Sequence, residues 1–258
     1  MDLEQVIQLQ KYPINDVSFH QKCKQTLDEH GALVLPDFLS AAAIKQVIEE
    51  GEAKKEQAYY SKDSHNVFLK PSDPEFPADH PRNRQVQSSK GCITDDQIAA
   101  DSPLRTLYDS ENFRKFLAAV LGEEQLYNYA DPLSSINLHY ASEGQELGWH
   151  FDESSFATTL LFQSPEAGGV FEYIENMRDA DAGEMNYEGV AEVLDGKRES
   201  KILHAGPGTL VMFRGRNAMH RVTPTEGAIT RMLVVLAYNS KPNIELSESA
   251  RMTFYGRL

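Results

Sequence analysis

A series of short apolar segments in the second half of the chain limits the folds that this sequence can adopt. Nine strand candidates of five to nine residues follow one another, and clusters of Gly, Pro, Asn or Asp separate most of them. They are 125–130, 134–141, 147–152, 156–163, 169–175, 201–205, 208–214, 219–223 and 230–238. Such a series is typical of an all-β sandwich or barrel. We therefore predict a β core at 125–240, interrupted by a charged insertion at 176–200 with one short helix candidate.

The first part of the chain, residues 1–124, has a mostly helical pattern. Apolar residues at helical spacing predict the helices 17–30, 40–59, 94–108 and 111–121. The segment 61–90 is rich in Ser, Asp, Pro and Asn, which favours a long loop. Since all-β domains often reach this length, we predict one domain over 1–258, mainly β, with helices packed on the core and a C-terminal segment at 241–258.

Composition excludes several classes of partner. The formal net charge is −14, and a surface of this sign repels phosphate backbones and anionic membranes. No stretch approaches the roughly 18 apolar residues of a membrane span, and the acidic N-terminus does not resemble a signal peptide. Cys23 and Cys92 form neither a zinc motif nor a disulfide framework. We predict a cytoplasmic protein with a small-molecule partner, and the oligomeric state stays open.

Three residues on two predicted strands have the chemistry of a metal site. His150 and Asp152 are two positions apart, so their side chains point to the same face of a strand. His220 lies on a later predicted strand. Two histidines and one carboxylate form the facial triad of non-haem iron(II) oxygenases, which leaves positions open for co-substrate and O₂. Since a His-X-Asp pair also arises by chance, these residues require support from another feature.

Arg231 supplies that feature, because it begins the strongly apolar stretch of a predicted strand. A buried arginine is costly unless it meets an anion. Its planar guanidinium matches the two oxygens of a carboxylate. Two interpretations remain open for Arg231: a structural ion pair within the chain, or the binding of a carboxylate ligand.

The pattern His150-X-Asp152, a distal His220 and Arg231 on the next strand resembles the iron(II)/2-oxoglutarate oxygenase superfamily. The resemblance implies a double-stranded β-helix, or jelly-roll, core. It also implies that the three ligands hold Fe(II), that Arg231 binds the distal carboxylate of 2-oxoglutarate, and that O₂ is consumed. Asn137, on a strand that leads into the core, is a further candidate for holding 2-oxoglutarate.

A narrower resemblance concerns the substrate. The sequence at 31–40 resembles a segment of the phytanoyl-hydroxylase-like branch. The sequences LGWHFD at 147–152, GGVFEY at 168–173 and TFYGR at 253–257 resemble the BesD-like group of free amino-acid halogenases and hydroxylases. In those halogenases a small residue replaces the carboxylate ligand, and chloride takes the vacated site. Since Asp152 occupies that position here, the resemblance implies hydroxylation.

A free amino acid requires one anion site and one cation site in the protein. Arg82 and Arg84, in the predicted long loop, are candidates for the substrate carboxylate, although both also fit ordinary solvated arginines. Glu153 and Asp131 are candidates for the ammonium group, and the alternative for Glu153 is an acid at the end of a strand. Tyr255 is a candidate for closing the pocket, and the alternative is simple packing.

Three functions are compatible with these residues. The first is hydroxylation of a free amino acid, basic or polar and lysine-like. The second is the same oxygenase chemistry on another small molecule, including desaturation or cyclisation. The third is a non-catalytic, cupin-like metal-binding protein. Arg231 disfavours the third function, because a simple metal-binding protein has no need of a buried carboxylate anchor.

Overall fold

The structure is a computed structural model that describes all 258 residues, with seven α-helices and fifteen strands. The helices are α1 (Leu3–Val6), α2 (Val17–His30), α3 (Ala41–Lys54), α4 (Pro103–Asp109), α5 (Glu111–Leu121), α6 (Tyr187–Leu194) and α7 (Glu248–Tyr255). The strands are β1 (Ala32–Leu35), β2 (Tyr59–Asn66), β3 (Gln85–Ile93), β4 (Tyr127–Asn128), β5 (Ile136–Ala141), β6 (Leu147–His150), β7 (Ala157–Gln163), β8 (Ala167–Gly168), β9 (Phe171–Ile174), β10 (Lys201–Leu203), β11 (Leu210–Phe213), β12 (Met219–Val222), β13 (Thr225–Glu226), β14 (Arg231–Leu236) and β15 (Tyr238–Asn239). No helix combines the length and the apolar character that crossing a membrane requires.

Eleven strands form one antiparallel sheet in the order β1-β11-β7-β14-β5-β3-β6-β12-β9-β10, and β2 pairs with β3. β3 connects the two parts of the sheet, because it pairs with β5 near its end and with β6 at Ser88. Each of the nine predicted strand segments contains a strand. The predicted fold, a jelly-roll core with flanking helices, is confirmed.

The alternation of side chains along β14 shows how the core is divided. Met232, Val234 and Leu236 are fully buried in one large apolar cluster with residues of the N-terminal helices. Arg231 and Leu233 belong to the opposite row of this strand, which is only partly buried. Side chains of a strand alternate between its two faces. One face of the sheet therefore carries the helices, and the other faces the inside of the jelly roll.

Helix boundaries follow from capping residues in the sequence. Asp16 accepts a hydrogen bond from the backbone N–H of Ser18 and begins α2, and Ser40 caps α3 in the same way. α2 ends at Gly31, whose φ of 65° is in the left-handed region that favours glycine. α6 lies within the predicted insertion at 176–200, as the sequence indicates.

Two predictions of local structure are wrong. The two ends of the predicted loop at 61–90 belong to the strands of a hairpin, since 61–66 lie in β2 and 85–90 in β3, and the loop itself is shorter, at 67–84. Most residues of β2 are polar, so the strand lacks the apolar alternation by which strands are recognised. The predicted helix at 94–108 is α-helical only from Pro103 onward, because proline fits the first turn of a helix and disrupts its interior.

Candidate metal centre and co-substrate pocket

The three predicted metal ligands meet on the inner face of the sheet. His150 ends β6 and pairs in register with His220 on β12. Asp152 lies just beyond β6, with its Oδ1 atom 3.7 Å from Nε2 of His150 and 3.5 Å from Nε2 of His220. One ligand atom from each residue lies within 4.8 Å of the others. The predicted convergence of these three side chains on one point is therefore present in the structure.

Backbone carbonyls orient both imidazoles. Nδ1 of His150 lies 2.8 Å from the carbonyl oxygen of Gly148, and Nδ1 of His220 lies 3.0 Å from that of Ala218. Because a carbonyl only accepts, each Nδ1 carries a proton, and each Nε2 faces the cluster. Burial, with a smaller effect of His220, lowers the pKa of His150 to about 3, so this ring is neutral near pH 7. Histidine binds a metal as a neutral imidazole, and a hydrogen bond from its other ring nitrogen orients the ring.

The carboxylate of Asp152 completes a donor set that fits Fe(II). Burial alone would raise its pKa, but His220 and His150 outweigh this effect, and the pKa lies below its ordinary value. Its Oδ2 atom is buried without a hydrogen-bond partner, which is unusual for a carboxylate that no ion contacts. Two imidazole nitrogens and one carboxylate oxygen suit a facial iron site.

Aromatic side chains enclose the His220 side of the cluster. Phe171 stacks on the ring of His220 at a centroid distance of 5.5 Å, and Phe213 meets the same ring edge-on at 5.0 Å. They leave His220 little room to adopt another rotamer. The rings also exclude water, which strengthens electrostatic interactions at the site.

Arg231 has no anionic partner in the chain. No carboxylate lies within 4.0 Å of its guanidinium nitrogens, and burial is the only influence that lowers its pKa, to about 10. The structure therefore offers no support for a structural ion pair. A Cβ atom at Gly169 would lie 2.9 Å from Cδ of Arg231, so the glycine gives the arginine its room. An uncompensated guanidinium on the inner face is ready to bind an external carboxylate.

Two further basic side chains share the inner face with Arg231. They are His139 of β5 and Lys90 of β3. His139 pairs with Cys92 of β3 and with Leu233 of β14. Lys90 is two residues from Cys92, and Arg231 is two residues from Leu233, so both lie on the same face as His139. Lys90 Nζ donates to Nε2 of His139 over 3.3 Å. Burial lowers the pKa of Lys90. Burial and the positive charges of Lys90 and Arg231 lower the pKa of His139. Two basic side chains, Lys90 of β3 and Arg231 of β14, therefore lie on either side of His139 of β5, and neither forms an ion pair with a carboxylate.

Comparison with known proteins agrees with this geometry. A family model described as Halogenase D matches residues 15–254. The chain belongs to the Halogenase D family. Curated proteins give no match.

Solved structures similar to this Halogenase D family member share its fold. An oxidoreductase of the 2OG-Fe(II) oxygenase family from Burkholderia pseudomallei is 13% identical with a TM-score of 0.53, covering 88% of this chain and 93% of its own. The carbocyclase SnoK from nogalamycin biosynthesis is 12% identical, with a TM-score of 0.58 and 92% of each chain covered. A prolyl-4-hydroxylase from Pseudomonas putida is 13% identical with a TM-score of 0.51, covering 84% and 97%. The family, the shared fold and the His-Asp-His donor set all fit the chemistry of an iron(II)- and 2-oxoglutarate-dependent oxygenase.

The two loop arginines of this Halogenase D family member differ in how much of each guanidinium is already used. Arg84 forms an ion pair of 2.7 Å with Asp195 and also donates to the carbonyl of Leu194. These contacts join the loop 67–84 and the start of β3 to the end of α6. Arg82 donates through Nη2 to the carbonyl of Pro71, but its Nη1 atom is buried without a partner. Of the two arginines, Arg82 is therefore the one with an unused donor.

Three predicted ligand-binding residues instead make contacts within the chain. The carboxylate of Asp131 accepts hydrogen bonds from the backbone and hydroxyl of Ser134 and from the backbone N–H of Leu246, among others. The amide nitrogen of Asn137 donates to two backbone carbonyls, and its oxygen accepts a 2.9 Å hydrogen bond from Tyr255. These groups are already satisfied. The Tyr255–Asn137 hydrogen bond joins the C-terminal segment to β5, and the ligand-binding roles of Asp131, Asn137 and Tyr255 stay predictions.

Glu153 follows the metal carboxylate but points toward solvent. Its side chain is 61% exposed and forms an ion pair with Lys70 of the loop 67–84. Such an exposed pair contributes little stability and exchanges partners easily. The prediction that Glu153 receives a substrate ammonium group therefore stays a prediction.

Sequence reasoning missed two residues beside the metal centre. His65 of β2 binds Ser88 through Nε2 over 2.6 Å and meets the ring of His150 edge-on at 6.3 Å. Arg178 lies over the ring of Phe151, 4.2 Å from its centroid, and belongs to the charged insertion. His65 lies in the predicted long loop and Arg178 in the predicted charged insertion, and no local pattern in the sequence indicates that these segments fold back onto the site.

Proposed function

We propose that this chain is an iron(II)- and 2-oxoglutarate-dependent hydroxylase of a free amino acid, basic or polar in character. The carboxylate of Asp152 beside His150 and His220 carries the proposal. The family description names a halogenase, and in the halogenases that this sequence resembles a small residue stands at this position. A cytoplasmic location is part of the proposal.

The residues of the pocket divide the work. His150, Asp152 and His220 would hold the iron, while Arg231 and the neighbouring Lys90 would bind the distal carboxylate of 2-oxoglutarate. Bound iron(II) and 2-oxoglutarate would supply the oxidising chemistry, with one oxygen atom of O₂ going to succinate, which is formed together with CO₂, and the other to the hydroxyl group of the product. Asp152 would contribute an oxygen ligand and a negative charge. In the halogenases, chloride occupies this position and supplies the charge. The protein's contribution is orientation and exclusion of water.

Arg82 is proposed as the anchor of the substrate carboxylate, because its Nη1 donor is buried and unused. Replacing Arg82 with methionine should raise the KM for the amino acid by about tenfold or more, since a charge-assisted hydrogen bond contributes roughly 1.5–3 kcal/mol. Arg84→Met is the matched control, because Asp195 already holds that side chain. Steady-state kinetics at saturating 2-oxoglutarate measure both variants. Equal KM values for Arg82→Met and wild type would remove Arg82 from the substrate site.

The substrate class is tested by succinate release over a panel of free amino acids, with the His220→Ala variant as the blank. We expect a basic or polar amino acid to stimulate succinate formation well above the uncoupled background. We also expect blocking its carboxylate as an amide to abolish the stimulation. If only peptides or non-amino-acid molecules stimulate release, the oxygenase assignment stands and the proposed substrate class is wrong.

A further inference from the structure

The loop 214–218 between β11 and β12 lies directly against the metal carboxylate. The backbone N–H of Asp152 donates to the carbonyl of Gly215 over 3.1 Å. On the same loop, Arg216 donates through Nη1 to the carbonyl of Glu153 over 2.9 Å. The loop therefore fixes the backbone of the segment that carries the carboxylate.

Gly215 is the one position of this loop where a side chain has no space. A Cβ atom built there would overlap Oδ2 of Asp152 and lie 2.6 Å from its Cγ atom and 2.9 Å from Cε1 of His220. Non-bonded contacts of carbon atoms are favourable only at about 3.5–4.0 Å. The backbone of Gly215 is not in the left-handed region, so space alone requires glycine here.

We propose that Gly215 is a positioning residue of the metal centre, whose missing side chain makes the room in which Asp152 reaches the metal beside His220. A methyl group at this position would push the carboxylate away while the backbone hydrogen bond holds the segment in place. The residue types at 152 and 215 therefore depend on each other. A carboxylate at 152 requires glycine at 215, whereas a small residue at 152 removes that requirement. The inference rests on the metal centre and does not depend on the substrate.

The test is Co(II) binding to the folded protein without substrate, followed by titration calorimetry and by the absorption spectrum of the bound ion. Gly215→Ala should weaken Co(II) binding by about tenfold or more, the range seen when groups that orient metal ligands are lost. Gly206→Ala is the matched control, because a Cβ there meets nothing within 4 Å and the backbone is not left-handed. It should bind Co(II) within about twofold of wild type. Unchanged Co(II) affinity in Gly215→Ala would overturn the proposal.

A double variant shows whether Gly215 acts through Asp152. In the Asp152→Gly background, Gly215→Ala should weaken Co(II) binding clearly less than it does in the wild-type background, because only the 2.9 Å contact with Cε1 of His220 remains. It should also lower the melting temperature less than it does in the wild-type background, because the overlapping carboxylate is absent. If Gly215→Ala alone fails to fold, Asp152→Gly should restore folding. Equal losses in both backgrounds, or a double variant that remains unfolded, would show that Gly215 serves another purpose.

Discussion

Replacing Asp152 with glycine should remove most of the hydroxylation activity and weaken metal binding by about tenfold or more. The substitution removes one of three ligands and its negative charge, and it vacates a coordination position that a halide can enter. Product analysis by mass spectrometry and Co(II) titration measure the two effects. Halogenation by the variant is a further outcome, which also requires surrounding groups that hold the halide.

The control for Asp152→Gly is the conservative variant Asp152→Glu, which keeps the charge and displaces the ligand oxygen. We expect Asp152→Glu to retain more metal affinity than Asp152→Gly, because a carboxylate remains in the same buried pocket. Hydroxylation by Asp152→Gly at the wild-type rate would place the carboxylate outside the metal site, despite its 3.5 Å distance from His220.

Replacing Arg231 with methionine should raise the concentration of 2-oxoglutarate required for half-maximal activity by about tenfold or more. Breaking a charge-assisted contact in a partly buried pocket costs on the order of 2–5 kcal/mol, and Lys90 on the same face compensates for only part of the loss. The arginine has no partner within the chain, so folding should be little affected. Succinate release as a function of 2-oxoglutarate concentration measures the effect.

Arg221 provides the matched control for Arg231, because it is an arginine with a structural ion pair. Its Nε atom lies 2.7 Å from Glu172, and its guanidinium lies over the ring of Trp149. Arg221→Met should leave the requirement for 2-oxoglutarate unchanged. A folded Arg231→Met variant with the same requirement as wild type would exclude Arg231 as the co-substrate anchor.

The sequence predicts those features that depend on neighbouring residues. Alternating apolar residues and turn residues locate the strands of the core, and Asp16 and Gly31 mark the ends of a helix. His150 and Asp152 share a face because of their spacing alone. Their meeting with His220 requires β6 and β12 to be adjacent, which the sequence indicates only through the family resemblance.

The features that the sequence does not predict depend on distant contacts. Lys90 and His65 lie in the hairpin of β2 and β3, whose polar sequence is typical of a loop. The sequence therefore does not predict that Lys90 lies near Arg231 or that His65 lies near His150. Asp131 and Asn137 have the chemistry of ligand-binding residues. Only the folded chain shows that the C-terminal segment donates a hydrogen bond to each of them.

The mass of the wild-type product tests the central claim most directly, which is that Asp152 makes this member of the Halogenase D family a hydroxylase. The enzyme is incubated with Fe(II), 2-oxoglutarate, O₂ and the most stimulating amino acid, once in chloride buffer and once without chloride. The account predicts a product that gains one oxygen atom, in equal yield in both buffers. A chlorinated product from the wild-type enzyme would contradict the account.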